Sequence, residues 1–316
     1  MKVLVIGSEG FIGQALVARL LAGDQVGEGG QSATQVTLLD MRIAPRAADP
    51  RVRAVEGDIC DRAVLNRAIE GGVDCVFHLA SIPGGAAEQN FELGLKVNLY
   101  ATLDMLEVLR LSGQKPRVVF ASTIGIYGVP LPEVIDELTI PEPSLSYGAQ
   151  KLIGEILVSD YARKGFISGV SVRIPGIVAR PPSKGMLSIF LSDIIRELSA
   201  GRSFVCPVAA DGPSWWMSRP CIVQNLLHAS ALGDAVLSRQ RSFLMPVLRL
   251  TLGEVVAGIA RLHGKQVLER VSYQPDARLQ AQFANLPLMR CPKSEAAGFR
   301  HDGTVENLVT RALAPL

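Results

Sequence analysis

The chain of 316 residues carries 32 basic against 30 acidic side chains, a formal net charge of +2, and 48% of its residues are hydrophobic. That balance describes a globular protein with a sizeable core, and it excludes a disordered chain and a basic nucleic-acid-binding face. No apolar stretch approaches the ~20 residues of a membrane span, and the five cysteines and four histidines show no metal-ligand spacing, so neither membrane nor metal is expected.

In chain order, residues 2–6 form an apolar run that predicts a strand at the start and no secretory leader. Cysteines used as small apolar residues predict a reduced, cytoplasmic setting. Gly7, Gly10 and Gly13 then lead into an amphipathic helix over 11–21. The polar, glycine-rich stretch 23–35 predicts an exposed loop. Strands follow at 36–40 and 52–56, a helix at 62–69, a buried strand at 75–79, a long helix at 90–112 and a strand at 117–121. Leu152, Ile153, Ile156, Leu157 and Tyr161 recur at helical spacing after Tyr147, and Gly165 supplies a stop before a strand at 169–174. Beyond Pro175 the alternation loosens, with helices expected at 187–200, around 224–233 and at 251–263. Prolines at Pro181-Pro182 and from Pro207 to Pro220 mark joints. The expected architecture is α/β: a Rossmann-type doubly wound parallel sheet over residues 1–175, and a smaller substrate lobe over 176–316 with some segments returning to the sheet.

A glycine turn between strand and helix brings backbone N–H groups and the positive helix end to a pyrophosphate. The spacing here is G-x-x-G-x-x-G, and an ordinary tight turn is the other reading. Asp40 ends the next strand, where a carboxylate accepts from both ribose hydroxyls and repels a 2′-phosphate. This favours NAD over NADP, with Arg42 nearby as the residue that would suit a phosphate. Gly57-Asp58-Ile59 ends the third strand at the height of an adenine ring. Asp58 reads either as an acceptor for the adenine amine or as a helix cap, and Asp61 is better placed for the cap. Small residues after His78-Leu79 leave room for a cofactor, while His78 reads as a core histidine. Tyr147 and Lys151, four residues apart, share one helix face. A nearby ammonium favours the phenolate and brings a phenol of ordinary pKa near ~10 toward working range as a base.

With Asn98, Ser122-Thr123 and Tyr127-Gly128 added in order, the chain resembles, over roughly its first 180 residues, the extended short-chain dehydrogenase/reductase family, the NAD-dependent epimerases and dehydratases. The resemblance implies that Tyr147 takes a proton from a substrate hydroxyl, that Thr123 bonds the same oxygen with Ser122 beside it as stand-in, and that Lys151 binds the nicotinamide ribose. It also implies cofactor contacts from Gly7, Gly10, Phe11, Ile12, Gly13, Asp40, Asp58, Ile59, Leu79, Ala80, Ser81, Asn98, Pro175 and Ile177. Asn98 reads as a tie from the long helix to the site's backbone or as a plain helix contact.

A narrower set of matches, among them Gly84-Gly85, Pro130 to Glu133 and Cys206-Pro207-Val208, is similar to the D-erythronate dehydrogenase branch. That resemblance implies oxidation of a four-carbon sugar acid at C2 with NAD. The segment from Arg173 to Pro181 lacks the Asn and Tyr-Gly-Pro usual in sugar-nucleotide members. Trp215 and Arg219 offer an aromatic wall and a guanidinium for a carboxylate, Arg180 competes for that carboxylate, and Gly84 is expected beside the substrate. The alternatives are a nucleotide-sugar epimerase on the same scaffold and a non-catalytic NAD(P)-sensing regulator, against which the Tyr147–Lys151 pair stands. A dehydratase would want an Asp-Glu pair where Ile124-Gly125 stand. A homodimer through the two long helices is a family expectation.

Overall fold

The computed structural model describes residues 1–182 and 186–315. Seven strands form one sheet: β1 (Lys2–Ile6), β2 (Gln35–Asp40), β3 (Val52–Glu56), β4 (Cys75–His78), β5 (Arg117–Thr123), β6 (Ser168–Ile174) and β7 (Ser242–Leu244). Their order is β7-β6-β5-β4-β1-β2-β3, every neighbouring pair parallel. The order reverses between β1 and β4, so a crevice opens there at the carboxyl ends of the strands.

The longer helices are α1 (Phe11–Leu21), α2 (Arg62–Ile69), α3 (Ala101–Ser112), α4 (Ser146–Arg163), α5 (Phe190–Ser199), α6 (Arg219–Ala231), α7 (Leu252–His263) and α8 (Val305–Ala312). Both sheet faces are covered, which is why the strands read as near-continuous apolar runs. On one face Val3, Val5, Phe77, Val119 and Val170 pack with Leu16 and Leu20 of α1 and Ile222 and Leu226 of α6. On the other, Leu4, Val76, Val118 and Phe120 pack with Leu65 of α2, Leu106 of α3 and Val158 of α4. A C-terminal lobe has its own core, in which Ile194 and Leu198 of α5 meet Val255 and Ile259 of α7 and Leu308 of α8. α6 and β7 therefore belong to the sheet unit, although they follow the start of the lobe in sequence.

Three expectations about the elements differ from the fold. The stretch 23–35 is not a plain exposed loop: Gln25–Val26 pairs with Gln31–Ser32, Val26 and Ala33 are buried, and Gly27 N–H donates to Ser230 Oγ at 3.0 Å. The helix expected over 90–112 starts as the short helices Gly84–Gln89 and Phe91–Gly94, and passes through a π-helical turn at Leu95–Tyr100 before α3. Such turns shift the register by a residue, here around the buried Asn98. The strand expected at 117–121 runs on to Thr123, so the two hydroxyl residues are part of it. Gly165 ends α4 as expected, at φ +75°. Among the described residues no helix is long and apolar enough to cross a membrane, and the five cysteines are unpaired.

Candidate active site

The glycine turn closes over the crevice. Gly7 has φ +86°, and a Cβ there would lie 2.6 Å from the Ala80 nitrogen. A Cβ at Gly13 would lie 2.1 Å from the Gly7 carbonyl oxygen, so both positions need hydrogen. Gly10 starts α1 without a side-chain cap, and the first turn holds no acid, which leaves its N–H groups for an anion. Asp40 fixes this turn: its Oδ2 accepts from Glu9 N–H at 2.8 Å and its Oδ1 from Met41 N–H at 2.8 Å. Each oxygen keeps a lone pair for a ribose hydroxyl. Arg42 is exposed, whereas Arg46, which sequence reasoning missed, pairs with Glu9 in the turn. The cradle and bare helix end fit a dinucleotide.

Asp61 caps α2 through Ala63 N–H, which leaves Asp58 free of that duty. Asp58 accepts from Cys60 N–H at 2.9 Å, and that bond holds its carboxyl below the usual range. The Ile59 and Ile177 side chains are buried in the two sheet cores. Pro175 is also buried, and Ile177 bridges to Met217, pinning the segment after β6.

Asn98 spends its amide on protein. Its Oδ1 accepts from Ile82 N–H at 2.8 Å, and its Nδ2 donates to Ile82 O at 3.1 Å and to Gln150 Oε1 at 2.8 Å. It ties the loop after β4 to α4, the structural one of its two readings. His78 is buried, with Nε2 2.9 Å from Thr102 Oγ1. The Thr102 hydroxyl donates to Asn98 O at 2.8 Å, so His78 Nε2–H donates to Thr102. Burial pulls the imidazole down to about 3, and it stays neutral.

Tyr147 and Lys151 rise from α4, which lies close to β5 and the turn after it because Gly154 faces the strand and Gly148 the turn. A Cβ at Gly148 would lie 2.2 Å from Gly125 O, and one at Gly154 would lie 2.6 Å from the Phe120 ring. Glu88, far away in sequence, accepts from Ser146 N–H at 2.5 Å and caps the helix. The Tyr147 phenol bonds the hydroxyls of Ser81 and Thr123 and feels the charge of Arg180. Burial raises its pKa, against the lowering influence of those three groups. Burial also pulls the Lys151 ammonium down to about 7. The expected lowering of the phenol pKa by lysine is not found in the protein alone: burial dominates, and the opposing influences come from Ser81, Thr123 and Arg180. Thr123 Oγ1 accepts from Gly125 N–H at 3.0 Å, which leaves its proton to donate, and Gly84 lies against the Tyr147 ring.

Other residues go elsewhere. Ser122 points to the opposite side of β5 and donates to Glu155 Oε1 at 2.5 Å, so it is no stand-in for Thr123. Trp215 is not an exposed wall: it is buried with Ile126, Tyr127 and Ile135, and its Nε1 donates to Pro287 O at 2.9 Å. Arg180 and Arg219 both stack on Phe11, at 5.0 and 4.9 Å. Arg219 donates to Ala314 O at 3.2 Å and Arg180 Nε to Ile177 O at 3.1 Å, and of the two only the Arg180 charge bears on Tyr147. Ala179, at φ +58°, holds an unfavourable backbone conformation directly before Arg180.

Residues 3–216 match the NAD dependent epimerase/dehydratase family. The chain is 38% identical over 314 residues to the D-erythronate dehydrogenase of Cupriavidus necator, covering 98% of this chain and 97% of that protein. It is 35% identical over 315 residues to the D-erythronate dehydrogenase of Haemophilus influenzae, covering 98% of each. Its fold superposes on the nucleoside-diphosphate-sugar epimerase from Agrobacterium tumefaciens with a TM-score of 0.89 at 31% identity, over 98% of this chain and 92% of that one.

Proposed function

This chain belongs to the NAD dependent epimerase/dehydratase family, and we propose that it oxidises a small sugar acid, D-erythronate, to 2-dehydro-D-erythronate. One observation carries the substrate class: the hydroxyls of Ser81 and Thr123 bond the Tyr147 phenol, and the charge of Arg180, held on the Phe11 ring and Ile177 O, acts on it. A proton acceptor beside a fixed cation suits a hydroxyl on the carbon next to a carboxylate.

In this reading Arg180 holds the carboxylate, and Ala179 sets its direction. Thr123 donates to the C2 oxygen while Tyr147 takes the hydroxyl proton as general base. Gly7, Gly10, Gly13 and the bare end of α1 hold the pyrophosphate, Asp40 the adenosine ribose, and Lys151 the nicotinamide ribose. Phe11, Ile12, Asp58, Leu79, Ala80 and Ser81 line the same crevice, and Gly84 backs Tyr147. NAD, when bound, supplies the hydride acceptor for C2 and a positive charge that offsets the desolvation of the phenolate. Five unpaired cysteines support a cytoplasmic location. Exposed Leu103 and Leu111 of α3 and Ile153 and Ile156 of α4 support a homodimer, to be read by light scattering.

An epimerase is the second reading, favoured by the Agrobacterium tumefaciens likeness. Screening C3 to C6 aldonates for net NADH formation separates the two. Stoichiometric NADH with D-erythronate supports the dehydrogenase. Turnover of a nucleotide sugar on retained NAD, with no aldonate oxidised, sinks it.

A further inference from the structure

We propose that Ser122, Tyr127, Glu155 and Arg173 form a positioning network that sets Tyr147 against Thr123; the inference rests on the roles given above to those two residues. Glu155 lies on α4 one turn beyond Lys151 and two beyond Tyr147, and is 4% exposed. Arg173 of β6 grips it as a fork, Nε to Oε1 at 3.0 Å and Nη2 to Oε2 at 2.9 Å. The Ser122 hydroxyl donates to the same Oε1 at 2.5 Å. Arg173 Nη1 donates to the Tyr127 hydroxyl at 2.9 Å.

These four residues join every segment that delivers a reacting group. Ser122 precedes Thr123 on β5 and pairs in register with Arg173 on β6. Tyr127 follows the short helical turn Ile124–Ile126 that Thr123 caps. Glu155 lies on the helix that carries Tyr147 and Lys151. A buried ion pair adds little net stability over well-packed apolar side chains of the same volume. What a bidentate fork adds is geometry, because both partners are planar and the contact tolerates little slippage. Here the fork sets the axial position of α4 against β6, and the Ser122 bond to the same carboxylate carries it to the end of β5. A shift of ~1 Å in that position costs roughly a hundredfold in rate when reacting groups must align.

The test compares Glu155→Gln, Arg173→Met and the double variant Glu155→Met/Arg173→Met with wild type. Single variants leave a buried group unpaired and can fold poorly, whereas the double variant removes both charges and keeps the volume. For the double variant the expected result is a thermal midpoint near that of wild type and NAD affinity within about threefold. Its kcat should fall roughly ten- to a hundredfold, with little change in the aldonate KM. The Tyr147 ring resonance, in ¹³C-tyrosine-labelled protein without substrate and assigned by its loss in Tyr147→Phe, should move. A merely structural network predicts a changed midpoint with kcat within twofold and the resonance in place, and that result would overturn the proposal. If wild type oxidises no aldonate, the substrate reading fails. The resonance alone then decides, a moved signal supporting the network and an unmoved one overturning it.

Discussion

The Lys151 ammonium rests 4.8 Å from the centre of the Phe120 ring and 6.0 Å from that of Tyr147, in a position only 1% exposed. Aromatic faces attract a cation but do not replace its hydration shell, so burial lowers the lysine from its ordinary 10.5 to about 7. The lowered value ties stability to pH. Below about 7 the folded and unfolded chains are both protonated, and the penalty for the buried charge is fully present. Between about 7 and 10.5 the unfolded chain binds the extra proton, so the penalty fades as pH rises. Lys151→Met should therefore melt above wild type at pH ~6, by a margin that shrinks toward pH ~10. Circular-dichroism melts across that range check it; a margin that grows with pH would refute the burial argument.

Asp40 has two duties that substitution can separate. Asp40→Asn keeps an acceptor for Glu9 N–H, gives up the one for Met41 N–H and removes the charge. It should weaken NAD modestly and narrow the preference for NAD over NADP, with the melting temperature little changed. Asp40→Ala also frees the turn and should weaken both cofactors. Titrations with NAD and NADP check this, and an unchanged preference in both variants means that the carboxylate does not face the ribose.

The two arginines on Phe11 should behave differently. Arg180→Met should raise the aldonate KM by roughly tenfold or more, as loss of a charge-assisted carboxylate contact demands, while NAD affinity stays within about threefold. Arg219→Met should leave that KM nearly unchanged, since its charge, unlike that of Arg180, does not bear on the Tyr147 phenol. Steady-state kinetics on both variants decide it, and the reverse pattern would move the carboxylate to Arg219.

Most of the sheet was legible because its signals are local. Apolar runs between glycine turns mark β1 to β6, and the strand–turn–helix at Gly7 carries its own mechanism. What escaped depended on distance or on facing. Ser122 and Thr123 are neighbours, and only the pleat of β5 decides which reaches Tyr147. Trp215 reads as an aromatic wall until the lobe is folded around it. Glu88 caps α4 from the short helix Gly84–Gln89, a contact that no local pattern encodes. Glu155 did leave a trace: it shares the buried stripe of α4 with Gly148, Lys151 and Val158, where an acid demands a partner. The pKa of Tyr147 escaped for a different reason, since desolvation depends on the whole fold around the phenol.

The central claim is that Tyr147 takes the proton while C2 of a sugar acid loses hydride to NAD. It is tested most directly with D-erythronate deuterated at C2. The expected result is deuterium in the reduced cofactor, one keto acid formed per NADH, and a rate cut roughly 10²- to 10⁴-fold in Tyr147→Phe with NAD affinity nearly unchanged. Deuterium retained in the sugar acid, or equal losses of turnover and NAD affinity in Tyr147→Phe, would contradict it.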